Sequence, residues 1–454
     1  MPRVDRVVAR PDLAEVRAAV GPKAFVELVR AGIDAARTAL LSGERRGVPT
    51  EEEVATWVRE RAGVLRAGRA RRVINATGVM LHTNLGRAPL SERAAAAVAE
   101  SMRGYSSIEL DLGTGKRGKR AAFLEASLAS LAGAEAAIVV NNCAAAVLLL
   151  LAAVARGRSV VVSRGELVEI GGGFRVPDVM VESGARLIEV GTTNKTRRAD
   201  YERALDANPD CAAILRVHQG NFRQLGFVER PSLAELGDLA RERGIPLLKD
   251  LGGGALVDLS STGFVGEPIV ASCVRDGCAA VTFSADKVLG GPQGGAIVGS
   301  SAIIERVRKH PLARALRLGR LAIVALEATL EAYLLERAWE EVPALAMSRT
   351  SVTELEARVD RWVERFAAVG ISARRVATEA EMGGGTLAAR TIPSVAVEIS
   401  TDARDADTLA RVLREGDPAV MGRVREGGVL LDARTVSAAE EEMLLARVVA
   451  SFDR

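Results

Sequence analysis

One lysine in this chain stands where a lysine is costly. Lys287 lies in VTFSADKVLGGPQGGAIVG (Val281–Gly299), between a run of strand formers and a glycine-rich turn. A charged amine at the end of an apolar strand loses hydration, so it either reaches back to water along its stem or is held for chemistry. Ser284 precedes it by three residues. Upstream, the strand-like LLKDL carries Asp250 and opens into GGGA, and VVNNCAAAV sets Asn141 and Asn142 between a strand ending at Val140 and an alanine-rich helix. The unpaired amides at the start of that helix, near Cys143 and Ala144, suit an anion. Asn142 serves equally well as a plain helix cap.

A lysine that forms a Schiff base with pyridoxal phosphate needs three supports. It needs an acid facing the pyridine nitrogen, hydroxyl and backbone donors for the phosphate, and glycines that let the backbone approach. Each of these features is commonly structural when met alone. Their order along the chain, cradle then acid then lysine, is far more specific.

The elements around these residues form a pattern of their own. From about residue 86 to 300, short β-branched runs (AAIVV, SVVVS, RLIEV, AAILRV, PLLKDL, AVTFSA, GGAIVG) alternate with helical stretches such as AAAVLLLLAAVARG and SLAELGDLARERG. That alternation predicts an α/β fold with a mostly parallel sheet covered by helices on both faces, and such sheets bind ligands beyond the carboxyl ends of their strands. A long helical segment is expected from about Pro311 to Val359. The tail, with SVAVEIS and GGVLLDA strands between helices, reads as a small α+β domain. The chain is thus expected to divide into a helical part (1–68), a linker (69–85), a large cofactor-binding domain (86–330) and a small C-terminal domain (331–454).

The helical part contains a capping box at Thr50 and Glu53. Through residue 72 it carries 15 Lys/Arg against 10 Asp/Glu, concentrated in RERAGVLRAGRARR with Arg59, Arg61, Arg66, Arg69, Arg71 and Arg72. This is either a solvated helix face with a linker or a contact for an anionic partner. A second basic stretch, GTGKRGKR (Gly113–Arg120), satisfies GxxxxGK. A phosphate-cradling loop of that kind continues with Ser or Thr, whose hydroxyl holds magnesium, and here Arg120 stands in that place, so a plain basic loop is expected.

Composition narrows the classes. The 454 residues are long enough for one large domain with appendages. A net charge of +3 confines any nucleic-acid contact to a local patch. Four scattered cysteines without a CxxC pair argue against structural zinc or a disulfide framework and fit a reducing cytoplasm. The N-terminal stretch has no apolar core of signal-peptide length, and no segment has membrane-spanning length, so a soluble, non-membrane protein is expected.

INATGVMLHTNLGRAPLS (Ile74–Ser91), SRGELVEIGGGFRVPDVM, EVGTTNKT and FSADKVLGGPQGG together resemble the bacterial selenocysteine synthases, which are fold-type I pyridoxal phosphate transferases of the aspartate aminotransferase kind. The resemblance runs from the N-terminal helices, which family members with other substrates usually lack, to the C-terminal domain. It implies conversion of seryl-tRNA(Sec) to selenocysteinyl-tRNA(Sec), through β-elimination to aminoacrylyl-tRNA and addition of selenium from selenophosphate. It further implies that Lys287 carries the cofactor, that Asp250 pairs with the pyridine nitrogen, and that Arg87, Arg314 and Arg317 bind selenophosphate. With Ser284, Asn142, Cys143, Ala144 and His218 completing the cofactor site, His82 and His218 either touch the ring or are satisfied core histidines. A homodecamer with sites at dimer interfaces and a tRNA-binding role for residues 1–68 also follow from the resemblance. The nearest rival is a pyridoxal phosphate lyase acting on a free amino acid or amino sugar. A retired enzyme core serving only to bind RNA is opposed by the intact Lys287 and Asp250. Three places depart from the family pattern: Cys143 where a third Asn is usual, Gln219–Gly220 where Thr-Ser is usual, and Gly253–Gly254 where a Ser stands among the glycines.

Overall fold

The computed structural model describes residues 1–67, 69–400, 405–425 and 427–452, without the side chains of Arg66, Ala67 and Phe174. The chain divides into two compact units, Met1–Arg72 and Val73–Arg454.

Seven strands form the central sheet of the larger unit: β1 (Ala136–Val140), β2 (Ser159–Ser163), β3 (Arg186–Val190), β4 (Cys211–Val217), β5 (Leu247–Gly252), β6 (Ala280–Ser284) and β7 (Gly295–Gly299). Their spatial order is β1-β7-β6-β5-β4-β2-β3. All neighbours are parallel except β7, which runs antiparallel to both β1 and β6. Alternation along each strand divides the core between the two faces. Val139 and Val161 join one buried cluster, while Ile138, Val140, Val160 and Val162 join the other. Each such side chain contributes about 1.5–3 kcal/mol on full burial, and the helices Ala122–Ala132 and Cys143–Ala155 cover opposite faces.

One buried ion pair braces this sheet. Arg216 Nε lies 2.7 Å from Glu166 Oε1, both residues are buried, and Glu166 Oε2 accepts the Val217 N–H at 2.9 Å. Lys249 on the adjacent strand is buried nearby, and burial pushes its amine below the usual lysine range, with Glu166 the main opposing influence.

The stretch expected to be a linker, 69–85, does not behave as one. Val73–Asn75 pairs in parallel with Ala419–Met421, and Val79–Leu81 pairs with Glu381 and Gly383, because Ile74, Met80 and Leu81 are apolar and buried. Val79–Leu81 thereby becomes the edge of a five-stranded C-terminal sheet with Ala373–Gly383, Thr386–Ser400, Gly428–Asp432 and Arg423–Arg425. The helix Val352–Ala367 covers this sheet with Leu355, Val359, Trp362 and Phe366, spaced three or four residues apart. The helical stretch from Pro311 is broken into shorter helices. Gly319 caps Arg320–Leu334, Pro343 opens Pro343–Arg349, and Ser351 caps the next by accepting the Glu354 N–H.

The smaller unit holds four α-helices, Val4–Val8, Ala14–Val20, Pro22–Leu41 and Glu51–Ala67, around Phe25, Val29, Ile33, Val54 and Val58. Its capping box is formed: Glu53 N–H donates to Thr50 Oγ1 at 3.2 Å and Thr50 N–H to Glu53 Oε2 at 2.6 Å. Arg59 is held within the unit by Glu52 and Asp12. Arg61 and Arg69 are exposed; the Arg66 side chain lies outside the described residues. Among the described residues, no helix is long and apolar enough to cross a membrane.

Candidate active site

Three strand ends meet a helix start to make one cavity of about 260 Å³. Its walls include Asn142, Cys143 and Ala144 after β1, Asp250 and Gly252 at the end of β5, Ser284 and Lys287 after β6, and Arg87 from the chain preceding the sheet. This is the carboxyl end of the parallel strands, where the alternating pattern placed a ligand. Residues far apart in sequence are thus brought to one place by topology.

Each wall has a local cause. Asn142 caps Cys143–Ala155, its side chain accepting the Ala145 N–H at 2.8 Å, and the Cys143 and Ala144 amides remain available for an anion. Gly295 lies against this turn so closely that a Cβ there would fall 2.0 Å from the Asn142 carbonyl oxygen. Gly252 has φ +74°, and a Cβ on it would stand 3.9 Å from Lys287 Nζ. Lys287 itself is 7% exposed, so its amine is held in the cavity and does not reach into bulk water.

Asp250 is the buried acid. Thr282, directly opposite it on β6, donates from Oγ1 to Asp250 Oδ1 at 3.0 Å, and the Cys143 thiol donates to the same oxygen at 3.5 Å. Burial pushes the Asp250 carboxyl above the usual carboxylate range, opposed by the Thr282 hydrogen bond and by Lys249 and Lys287. Burial, then the neighbouring Asp250, pushes the Cys143 thiol well up, so it stays S–H at neutral pH.

Arg87 reaches the cavity from a left-handed backbone (φ +66°), and its Nη1 is 2.7 Å from Asp286 Oδ2. Arg314 and Arg317 are not in this cavity. They line a second one of about 200 Å³ together with Arg120, Arg308 and Glu125, and Arg317 Nη1 pairs with Glu109 Oε1 at 3.1 Å. The two sites adjoin through the backbone, since the Asn141 N–H donates to Leu316 O at 3.0 Å. His218 does not line the Lys287 cavity. Its N–H donates to Asp250 O at 2.8 Å and its ring Nε2 is 3.8 Å from the buried Glu267 Oε2. His82 is also outside the cavity lining, and its Nδ1 is buried without a partner among the described residues.

The basic loop Gly113–Arg120 is paired with acids on either side of it: Arg117 and Arg120 with Glu109, and Lys119 with Glu125. Two of the three departures from the family pattern fall at closely packed glycines. A Cβ at Gly253 would fall 1.9 Å from Glu267 Oε1, one at Gly254 2.5 Å from Ser284 O, and one at Gly220 2.5 Å from Gly385 O. At Gly220 and Gly254 the obstacle is backbone, so a Ser there requires the chain to shift, whereas at Gly253 it is the end of the Glu267 side chain. Thr282, Asp286 and Gln293 were not singled out from the sequence. Thr282 becomes visible only once the β5–β6 register is known, whereas Asp286 adjoins Lys287 and Gln293 lies in the same glycine-rich turn, where adjacency was the available signal.

The comparisons agree with this geometry. Residues 73–437 match the family described as L-seryl-tRNA selenium transferase. The chain is 43% identical over 450 residues to the L-seryl-tRNA(Sec) selenium transferase of Desulfomicrobium baculatum, covering 97% of this chain and 96% of the relative. It is 42% identical to that of Geobacter sulfurreducens, covering 96% and 95%. Among solved structures, a D-glucosaminate-6-phosphate ammonia-lyase superposes with a TM-score of 0.59 at 22% identity, over 86% of this chain and 98% of that one, which speaks for the shared fold. A cavity joining Lys287, Asp250 and a helix start, on a chain matched to these relatives over nearly its whole length, places this protein in the L-seryl-tRNA selenium transferase family.

Proposed function

We propose that the protein converts L-seryl-tRNA(Sec) to L-selenocysteinyl-tRNA(Sec), with selenophosphate as the selenium donor. The observation that carries this reading is the near full-length match to enzymes of that name, joined to a cavity whose residues suit the chemistry. The cavity fits pyridoxal phosphate: a buried amine at Lys287, a buried carboxyl at Asp250, and a capped helix start with free amides at Cys143 and Ala144. When bound, that cofactor supplies an electron sink for the substrate's Cα.

The chain's own residues then have distinct tasks. Lys287 anchors the cofactor and moves the proton at the substrate's Cα. Asp250, whose burial alone disfavours charge, would hold the cofactor's pyridine nitrogen and would be favoured as a carboxylate by a proton on it. The amides of Cys143 and Ala144 hold the phosphate, with Ser284 beside them. Arg87 holds the selenium donor by its guanidinium. Arg314 and Arg317 line a neighbouring cavity of the same chain, so their assignment to the donor goes with the homo-oligomer, a decamer by family resemblance, in which one copy completes the site of another. The helical unit serves the tRNA, with Arg61 and Arg69 offered to phosphates while Arg59 is engaged by Glu52 and Asp12. Work on a charged tRNA sets the protein in the cytoplasm.

The test is transfer of label from radiolabelled selenophosphate to Ser-tRNA(Sec), run beside free serine and an amino-sugar phosphate. Transfer to the tRNA-bound serine alone is the expected result. Turnover of the free compounds without transfer to tRNA would replace this reading with the lyase.

A further inference from the structure

The two carboxylate oxygens of Asp250 are not equivalent. Thr282 Oγ1 at 3.0 Å and Cys143 Sγ at 3.5 Å both donate to Oδ1, and among the described residues no donor reaches Oδ2. Cys143 is therefore in two places at once. Its backbone amide belongs to the helix start that faces an anion, while its side chain turns to the acid at the other end of the cavity.

We propose that Cys143 is a positioning residue: its thiol, with the Thr282 hydroxyl, fixes Asp250 by Oδ1 and so presents Oδ2 to the pyridine nitrogen of the cofactor. The inference rests on the assignment of Asp250 to that nitrogen. A thiol is a weak donor, but in a buried site a weak donor to a carboxylate still selects one rotamer over another. The alternative task, that of a reactive nucleophile, is opposed by the surroundings. Burial and the adjacent carboxylate hold the sulfur as S–H, outweighing the Lys287 amine across the cavity and the Ser284 hydroxyl, which both favour the thiolate. Unlike the other three cysteines, which are buried and line no part of the cavity, Cys143 lies on its wall.

The test uses cofactor affinity and two spectroscopic or chemical signatures, with the full chain stripped of cofactor and titrated with pyridoxal phosphate. Cys143→Ala and the closely sized Cys143→Val, which keeps the variant series interpretable if the smaller residue fails to fold, should weaken binding by about 2- to 10-fold, the worth of one net hydrogen bond. Both should displace the visible band of the bound cofactor. Cys143→Ser restores a donor and should return affinity and band to within about twofold of the parent. Equal behaviour of Ser, Ala and Val would overturn the proposal. Iodoacetamide labelling of the cofactor-free protein gives an independent reading: Asp250→Ala removes the acceptor that ties down the Cys143 thiol, so Cys143 should label several-fold faster, and an unchanged rate would also overturn the proposal. Asp250→Asn protein with parental affinity and band would fault the pyridine assignment itself, which the Cys143 series alone does not do.

Discussion

Arg87 Nη1 and Asp286 Oδ2 are 2.7 Å apart, and Asp286 is the residue next to Lys287. The guanidinium proposed to hold the selenium donor is thus tethered to the lysine's own loop. An arriving anion competes with Asp286 for it, and the arginine backbone at φ +66°, which costs an ordinary residue about 1 kcal/mol or more, keeps the side chain where that exchange can occur.

Replacing Arg87 with Ala should therefore slow selenium transfer by tenfold or more, roughly the loss of one charge-assisted hydrogen bond, while cofactor binding and loss of the seryl hydroxyl remain measurable. Asp286→Asn should tighten binding of inorganic phosphate as a donor mimic. Single-turnover assays and phosphate competition check both, and equal loss of elimination and transfer in Arg87→Ala would reassign the arginine.

Lys287→Ala should fold and yet lack the visible band that the parent shows with pyridoxal phosphate, since among the described residues no other lysine lines the cavity. An absorption spectrum decides it.

Asp250 gives a pH-dependent prediction for the cofactor-free protein. Its carboxyl is raised in the folded state above the ordinary value of 3.8, so the folded chain takes up the proton more readily than the unfolded one. The resulting cost is absent below the unfolded pKa and complete once pH exceeds the folded pKa. Asp250→Asn should therefore be the more stable cofactor-free protein at neutral pH, with an advantage that shrinks as pH falls toward about 4. Denaturant midpoints at several pH values measure this, and an advantage that grows on acidification would contradict it.

The Glu166–Arg216 pair is a stability element apart from the chemistry. Glu166→Gln leaves Arg216 and Lys249 buried without an anion and should cost about 3–5 kcal/mol. Urea unfolding measures it.

Removal of residues 1–72, the compact N-terminal unit, should leave a cofactor-binding protein that has lost its preference for tRNA(Sec) over tRNA(Ser). In the full chain, affinity should fall with salt as phosphate contacts are screened. Preference retained by a folded truncation would leave those helices a solvated face with no part in choosing the tRNA.

Much of this was legible in the sequence because it depended on local signals. The seven strands of the central sheet each corresponded to a short apolar run, β-branched in all but Leu247–Gly252, and Asn142, Asp250, Ser284 and Lys287 fell at strand ends where a parallel sheet collects ligands. What stayed hidden depended on partners distant in sequence. Val73–Asn75 and Val79–Leu81 look like connector because each is three residues long and finds its neighbour only beyond residue 380. Arg314 and Arg317 carry the right chemistry, yet chain geometry puts their side chains in another cavity. Thr282 looked like one more strand residue until register set it against Asp250.

The antiparallel strand β7 has a consequence for the newborn chain. β1, which delivers Asn142 and Cys143 to the cavity, sits at the sheet's edge; among the described strands its neighbour is β7, with one further bridge from Val140 to Arg317, and both partners follow Lys287 in the sequence. On the ribosome, the anion cradle is therefore made early but has no neighbouring strand until residue 299 has emerged, by which time the acid and the lysine are already outside. The cradle thus gains its strand neighbour only after the acid and the lysine have been made.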